Sequence, residues 1–421
     1  MKSIDIVDKK LDSKIKENFL DGVAKKIVLN ALQKMTIGHL TIEDDGEVYS
    51  FGEDAQTASV VGHIFVEHRS AYRKVMLNGT IGSGEAYMAG AWRSPDLTQV
   101  IRIFVMNMDV VIGMDSKWNF AFKLIANILH KMNANSKDKA RENISAHYDL
   151  GNDFFKLFLD ETMLYSSAIY PSKTATLLEA STYKMQHICK RLGLSEDDHL
   201  LEIGTGWGGM AIYAAQSTGC RVTSVTISQE QYEYAKAWVA REGLQEKVDI
   251  QLCDYRDITG QFDKLLSIEM IEAVGYQYYS EYFKQCSRLL KDDGKMLIQA
   301  ITIADQRYHT ERDNVDFIQR YIFPGGCLPS NEVIAQHVRK DTDMQIVGLD
   351  DITMHYAKTL EHWKAAFMSK LDAVKAQGFD DVFIRMWDFY LCYCEGGFRE
   401  RVISTSQILL AKPRCKELPS F

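Results

Sequence analysis

The sequence predicts an α/β fold: a mostly parallel, Rossmann-like sheet covered by helices on both faces, preceded by a smaller N-terminal α+β domain. Three observations carry this expectation. From about residue 198 short apolar runs alternate with helical patterns, as in a parallel sheet buried on both faces. The run "EIGTGWGG" (202–209) sets four glycines where the first such strand meets its helix. Before residue 133 the pattern is instead a helix, a hairpin and another helix.

Taken in order, residues 15–35 read as an amphipathic helix, and "HLTIEDDGEVYSFG" alternates around a polar turn as a β-hairpin does. "ASVVGHIFVEH" reads as a strand and "DLTQVIRIFVMNM" as a helix. "KWNFAFKLIANILHKM" carries a broad apolar face, with Trp118, Phe122, Ile125, Leu129 and Met132 in line. An ordinary core helix is the first reading of that face, and a lipid- or partner-facing surface with its basic flank is the second. The polar, charge-rich stretch 133–144 is the expected linker, dividing an N-terminal lipid-associated domain (1–132) from a catalytic domain (145–421). In the latter, strands are expected at "HLLEIG", "RVTSVTI", "VDIQLC", "KLLSIEM" and "GKMLIQAIT", with helices at "GGMAIYAAQ", "QEQYEYAKAWVAREG" and "YSEYFKQCSRLL".

Composition narrows the function classes. The net charge of −8 lacks the strongly basic balance of a nucleic-acid binder, and no nucleic-acid partner is expected. No window is apolar for long enough to span a membrane, and the first residues lack a signal-peptide core, so a cytoplasmic location is expected. The eight cysteines all lie from Cys189 onward without a CxxC pair, and the lone Cys392-x-Cys394 is a poor zinc motif. Reduced thiols and no metal are expected.

The glycines Gly204, Gly206, Gly208 and Gly209 allow a tight turn and a close approach of backbone N–H groups to a ligand. The string matches GxGxxG, but a dinucleotide site calls for an acid at the end of the second strand. "SVTISQEQ" offers Thr226, Ser228 and Gln231 there, with Glu230 its only carboxylate. Glu202, two residues before the first glycine, fits the E/D-x-G-x-G pattern of class I S-adenosylmethionine methyltransferases better.

Joined to "HYDLGNDFFKLFLDETMLYSSAIY" (147–170), "DYRDITGQFDKLLSIEMIEAVG" (254–275), "YIFPGGCLPS" (321–330) and "HYAKTLEHW" (355–363), the loop closely resembles the cyclopropane fatty acid synthase family. The matches run from about residue 145 to the end. "GSGEAYMAGAWRSPDLTQVI" (82–101) is similar to the N-terminal domain of the full-length bacterial members. The resemblance implies a seven-stranded class I methyltransferase sheet with helical cap insertions, completed by segments such as "VISTSQILLAKP". It implies S-adenosylmethionine as cofactor and unsaturated phospholipid acyl chains as substrate, met at the inner face of a bacterial membrane, and it allows a homodimer.

By motif, Tyr165, Ser166, Gly204 and Gly206 are implied to contact the methionyl part of the cofactor, Thr226, Ile227 and Gln231 its ribose, and Asp254 and Tyr255 its adenine. Thr226 and Gln231 have a plain alternative as caps of the next helix. In the family's chemistry an alkene attacks the sulfonium methyl, and a bound bicarbonate ion is thought to take the proton whose loss closes a cyclopropane ring. The bicarbonate cluster is implied at Ser167, Glu272, Gln299, Ile301 and Tyr356, with Glu272 accepting the ion's hydrogen. Two of these depart from the family pattern: Ser167 stands where cysteine is usual, and Gln299 where histidine is usual. Glu269 stands where a small residue such as glycine is common, and it is expected to be peripheral. His147 and His355 are expected to be structural, not proton carriers.

Cyclopropane-fatty-acyl-phospholipid synthase activity is therefore the first reading. The same methyl transfer ending in a methylene- or methyl-branched chain is the rival. A non-catalytic lipid-binding protein on a methyltransferase fold is the reading from another class.

Overall fold

A computed structural model describes residues 19–110 and 150–417. The helix expected at 117–132, the linker expected at 133–144, His147 and Tyr148 lie outside the described residues. The described chain forms two compact units: residues 19–110 with 314–324 and 363–402, and residues 150–313 with 325–362 and 403–417.

In the first unit, β1 (His39–Asp44) and β2 (Glu47–Gly52) pair as an antiparallel hairpin. Asp45 and Gly46 both take positive φ, as a two-residue turn with the strands' right-handed twist demands. β3 (Val61–Val66) runs parallel to β1, and β4 (Trp92–Arg93) closes the four-stranded order β2-β1-β3-β4. The helix Leu97–Met106 starts at Asp96, whose side chain accepts from the Gln99 N–H.

The expected catalytic domain does not keep 314–324 and 363–402, which cluster with this first unit. The helix Asp381–Arg399 buries Phe383, Trp387, Phe389 and Leu391 and packs on the helices Ser70–Met88 and Leu97–Met106. Tyr87 donates to Asp388 (2.5 Å) and Thr98 to Glu395 (2.9 Å), satisfying two acids that would be costly to bury alone. Position along the chain gave no sign of these distant partners.

The second unit carries a seven-stranded sheet in the order β10-β11-β9-β8-β5-β6-β7. Its strands are β5 (His199–Ile203), β6 (Arg221–Thr226), β7 (Val248–Leu252), β8 (Phe262–Ile268), β9 (Leu290–Ile303), β10 (Gln345–Asp351) and β11 (Ile403–Ala411). β7, β6, β5, β8 and β9 run parallel, and β11 is antiparallel to both β9 and β10. Neighbouring residues face opposite sides of the sheet. Leu201, Leu265 and Ile298 enter a core with Tyr282, Phe283 and Ile334. Leu200, Leu266 and Leu297 enter the other, with Ile188, Met210 and Val239. Strand order reverses at β5, so the crevice for a ligand lies beyond the carboxyl ends of β5 and its neighbours.

Candidate active site

The loop after β5 is tight on its packing side and open on the other. Gly204 has φ +100°, Gly206 +53° and Gly208 +95°, values that residues with a Cβ rarely adopt. A Cβ on Gly209 would stand 2.1 Å from the Thr162 carbonyl oxygen, and one on Gly208 2.9 Å from the Ala235 Cβ. A Cβ on Gly206 would meet nothing within 4 Å. That side of the loop is open.

Glu202 sits beneath the loop, buried, with its carboxyl pushed up to about 8 by burial, and accepts from Ser224 (2.5 Å). At the end of β6, Thr226 donates to the Gln231 side-chain oxygen (3.0 Å) and accepts from the Ser228 N–H. Ser228, not Thr226, caps the helix Gln229–Arg241. The Thr226 bond therefore fixes the Gln231 carboxamide with its NH2 group left for other partners. Ile227 lies half-buried in the turn between them. After β7, Asp254 holds Arg256 with two guanidinium bonds of 2.8 and 2.7 Å and accepts its N–H. Tyr255 packs edge-on against Tyr282.

Tyr165, Ser166 and Ser167 follow one another in an irregular segment, so one stretch of backbone serves two places. Tyr165 rests edge-on against Phe155. Ser166 accepts from the buried Lys184 ammonium at 2.6 Å. Ser167 turns its main-chain N–H to a carboxylate.

That carboxylate is Glu269. Its Oε1 accepts from the Ser167 N–H (2.9 Å) and from Gln299 Nε2 (2.7 Å), and its Oε2 accepts from the Tyr356 hydroxyl (2.7 Å). Gln299 is level with the last residue of β8. Gln407, its cross-strand partner on β11, donates to the Gln299 side-chain oxygen (2.8 Å). Its amide nitrogen is thereby aimed at Glu269.

Three residues of the expected cluster thus meet at Glu269, while Ile301 pairs with Glu272. Ser167, Gln299 and Tyr356 converge on Glu269, expected to be peripheral, and not on Glu272. Glu272 Oε1 accepts the Ile301 N–H (2.5 Å), and its buried Oε2 has no partner among the described residues. The reason is the backbone. Glu269 has φ +47°, a left-handed conformation costing a non-glycine residue about 1–2 kcal/mol, and its side chain meets the donors of β9 and Ser167. Two acids three residues apart do not disclose such a turn.

Both residues line a partly open face, yet their carboxyl groups lie deep enough for desolvation to dominate. Burial pushes Glu269 above the ordinary carboxylate range, while Lys184, Tyr356, Ser167 and Gln299 oppose it. Burial and the charge of Glu269 push Glu272 up to about 8. Glu269 has three donors, two of them side chains, and a nearby cation, whereas the donors to Glu272 are main-chain N–H groups. The donors and the cation favour the charged form of Glu269 over that of Glu272, and Glu272 keeps its proton up to about 8.

Lys184 escaped the sequence reading. It shares the Ala180, Ile188 and Leu192 stripe of the helix Leu177–Leu192, where a lysine is out of place, and burial lowers its ammonium to about 8. That misplaced charge was the available signal. His355 accepts the Tyr170 N–H at Nδ1 (3.0 Å), the structural part expected of it.

A class I methyltransferase strand order, the glycine loop and the enclosed carboxylate can now be set beside known proteins. The model of the family described as mycolic acid cyclopropane synthetase matches residues 135–408. The chain belongs to that family. It is 38% identical over 400 residues to the tuberculostearic acid methyltransferase of Mycobacterium tuberculosis, covering 93% of this chain and 92% of that one. With the cyclopropane-fatty-acyl-phospholipid synthase of Escherichia coli K12 it shares 34% over 390 residues, covering 89% and 96%. Among solved structures, a mycolic acid cyclopropane synthase in complex with SAH and CTAB superposes with a TM-score of 0.61 at 31% identity. That match covers 65% of this chain and 98% of that one. The protein is a methyltransferase of the cyclopropane synthase family with a class I methyltransferase fold.

The family resemblance also calls for a bicarbonate ion, and the residues present do not fit one. Of the donors expected to hold it, Ser167, Gln299 and Tyr356 are occupied by Glu269 and the Ile301 N–H by Glu272. An anion placed among them would stand against a buried carboxylate.

Proposed function

We propose that the protein transfers the methyl group of S-adenosylmethionine to a cis double bond in the acyl chain of a membrane phospholipid, with loss of a proton from the methylated chain. S-adenosylmethionine, when bound, supplies the electrophilic methyl group. Gly204 and Gly206 supply a backbone close enough to line it, Tyr165 and Ser166 flank its methionyl end, Thr226, Ile227 and Gln231 take its ribose, and Asp254 and Tyr255 lie by its adenine. The SAH-bound relative supports this cofactor.

One observation carries the reading: a buried carboxylate with three donors lies next to the glycine loop. Met270, the residue after Glu269, would stand 3.4 Å from a Cβ on Gly204. Alkene methylation creates a carbocation beside the cofactor, and such a cation needs a fixed negative charge and a site from which water is kept away. Tyr356 adds an electron-rich ring to the same place. A non-catalytic lipid binder has no use for a strained, fully donated carboxylate at that position.

Two outcomes share this chemistry. Direct proton loss from the new methyl group closes a cyclopropane ring, as the Escherichia coli relative's name indicates for that enzyme. A hydride shift before proton loss gives a branched, methylene-bearing chain. The second outcome is favoured by a specific observation: Ser167, Gln299 and Glu269, the departures from the cyclopropane pattern, all fall in one pocket. The 38% identity to a tuberculostearic acid methyltransferase over nearly the whole chain points the same way.

The test is mass spectrometry and proton NMR of acyl chains from cells expressing the protein. A mass gain of one CH2 per modified chain is expected. High-field cyclopropyl protons identify the ring, and olefinic =CH2 protons identify the branched chain. Cofactor binding without any methyl incorporated would contradict the proposal.

A further inference from the structure

Resting on that reading, we propose that Glu269 is the catalytic base of this enzyme, a carboxylate built into the chain where the family resemblance calls for a free bicarbonate ion.

Four features of the pocket support it. The donor set that would grip a small planar anion, namely the Ser167 N–H, Gln299 Nε2 and the Tyr356 hydroxyl, closes on the Glu269 carboxylate at 2.7–2.9 Å. A carboxylate has the same planar O–C–O acceptor edge as bicarbonate, so it satisfies those donors without a diffusible ion.

The second feature is strain. Glu269 keeps φ +47°, where glycine would be unstrained. A strained non-glycine residue persists when its surroundings fix it, and here three hydrogen bonds do so.

The third is position 299. Gln299 cannot titrate, and its orientation is fixed by Gln407. A neutral donor suits a carboxylate base: it holds Glu269 without offering it a proton, which a charged histidine would do.

The fourth is charge compensation. The buried Lys184 lies close enough to Glu269 to act on it electrostatically and donates to Ser166, next to the residue whose N–H holds the carboxylate. An anion tethered at this depth requires such a cation.

The step balances within the substrate and one side chain. A Glu269 oxygen forms an O–H bond with a proton of the transferred methyl group. The C–H electron pair becomes the third C–C bond of the ring or, after a hydride shift, the C=C bond of a methylene group. The positive charge on the chain is cancelled. Glu269 is left as a carboxylic acid and returns its proton to water when the lipid departs.

The experiment uses the full chain with vesicles of cis-unsaturated phosphatidylglycerol and labelled S-adenosylmethionine, in carbon-dioxide-free buffer and in the same buffer with millimolar bicarbonate. The wild-type rate should be the same in both. Glu269→Gln should lose about a hundredfold or more in either buffer, with melting temperature and cofactor affinity retained. Glu269→Gly, whose glycine suits the backbone and empties the pocket, should be inactive without bicarbonate and partly revived by it. A wild-type rate that rises with bicarbonate, a folded Glu269→Gln with normal turnover, or a Glu269→Gly that bicarbonate does not revive would each overturn the inference. A wild-type protein that transfers no methyl in either buffer would remove the methyl-transfer reading itself, and this inference with it.

Discussion

The glycine loop after β5 and the carboxylate pocket after β8 stand side by side at one edge of the sheet, yet they are built on opposite principles. The loop uses residues that suit their backbone: Gly204, Gly206 and Gly208 take positive φ values that glycine adopts freely. The pocket uses a residue that does not, since Glu269 holds φ +47° against its own preference. The loop provides shape and leaves space, whereas the pocket provides charge and fills it. A binding surface can therefore be read from residue types, while a charged pocket depends on where one strained turn sends a side chain.

Substitutions on the two sides should separate accordingly. Glu269→Gln should have the largest effect, lowering methyl transfer by about 10²–10⁴-fold with cofactor affinity by calorimetry unchanged. A parallel loss of affinity would show that the two regions are not distinct. Tyr356→Phe removes one of three donors to the same carboxylate. A hydrogen bond to a charged group is worth about 1.5–3 kcal/mol, so turnover should fall by roughly 10–100-fold, again without weakening the cofactor.

Gly206→Val tests the other side. A β-branched residue at φ +53° is strained and intrudes on the open face of the loop. Cofactor affinity should weaken by about tenfold, the equivalent of 1.4 kcal/mol, while turnover at saturating cofactor changes less. Unaltered affinity would place the ligand elsewhere.

The acid beneath the loop should act on stability and its pH dependence. Folded Glu202 keeps its proton up to about pH 8, whereas its ordinary carboxyl value is 4.5. Its contribution to stability is complete below pH 4.5 and is lost as pH rises toward 8, by at most about 1.4 kcal/mol per pH unit. Glu202→Gln should flatten the fall of melting temperature between pH 5 and 8 relative to wild type. An unchanged pH profile would mean that Glu202 ionises normally.

Much of this was legible in the sequence. The apolar runs that became β5, β6, β7, β8 and β9 are short and continuous because strands buried on both faces need no polar alternation. Residues named by motif at the ends of β5, β6 and β7 stand together because parallel strands deliver their carboxyl ends to one edge. The rest was decided by geometry that residue order does not carry. The helix Asp381–Arg399 could have packed on either unit. Lys184 was visible only as a charge in an apolar stripe. Motif placed Glu272 in the cluster and Glu269 outside it, and the left-handed turn that carries the Glu269 side chain to the Ser167, Gln299 and Tyr356 donors has no signature in residue order.

The two glutamates give the most direct test. Methyl transfer at pH 7 should be measured side by side for Glu269→Gln and Glu272→Gln. Glu272 holds its proton up to about 8, so glutamine replaces a neutral group with another of the same shape, and its rate should stay within about tenfold of wild type. Glu269→Gln removes the proposed base, and its rate should fall by two orders of magnitude or more. The reverse order, an inactive Glu272→Gln beside an active Glu269→Gln, would contradict the assignment of the base to Glu269.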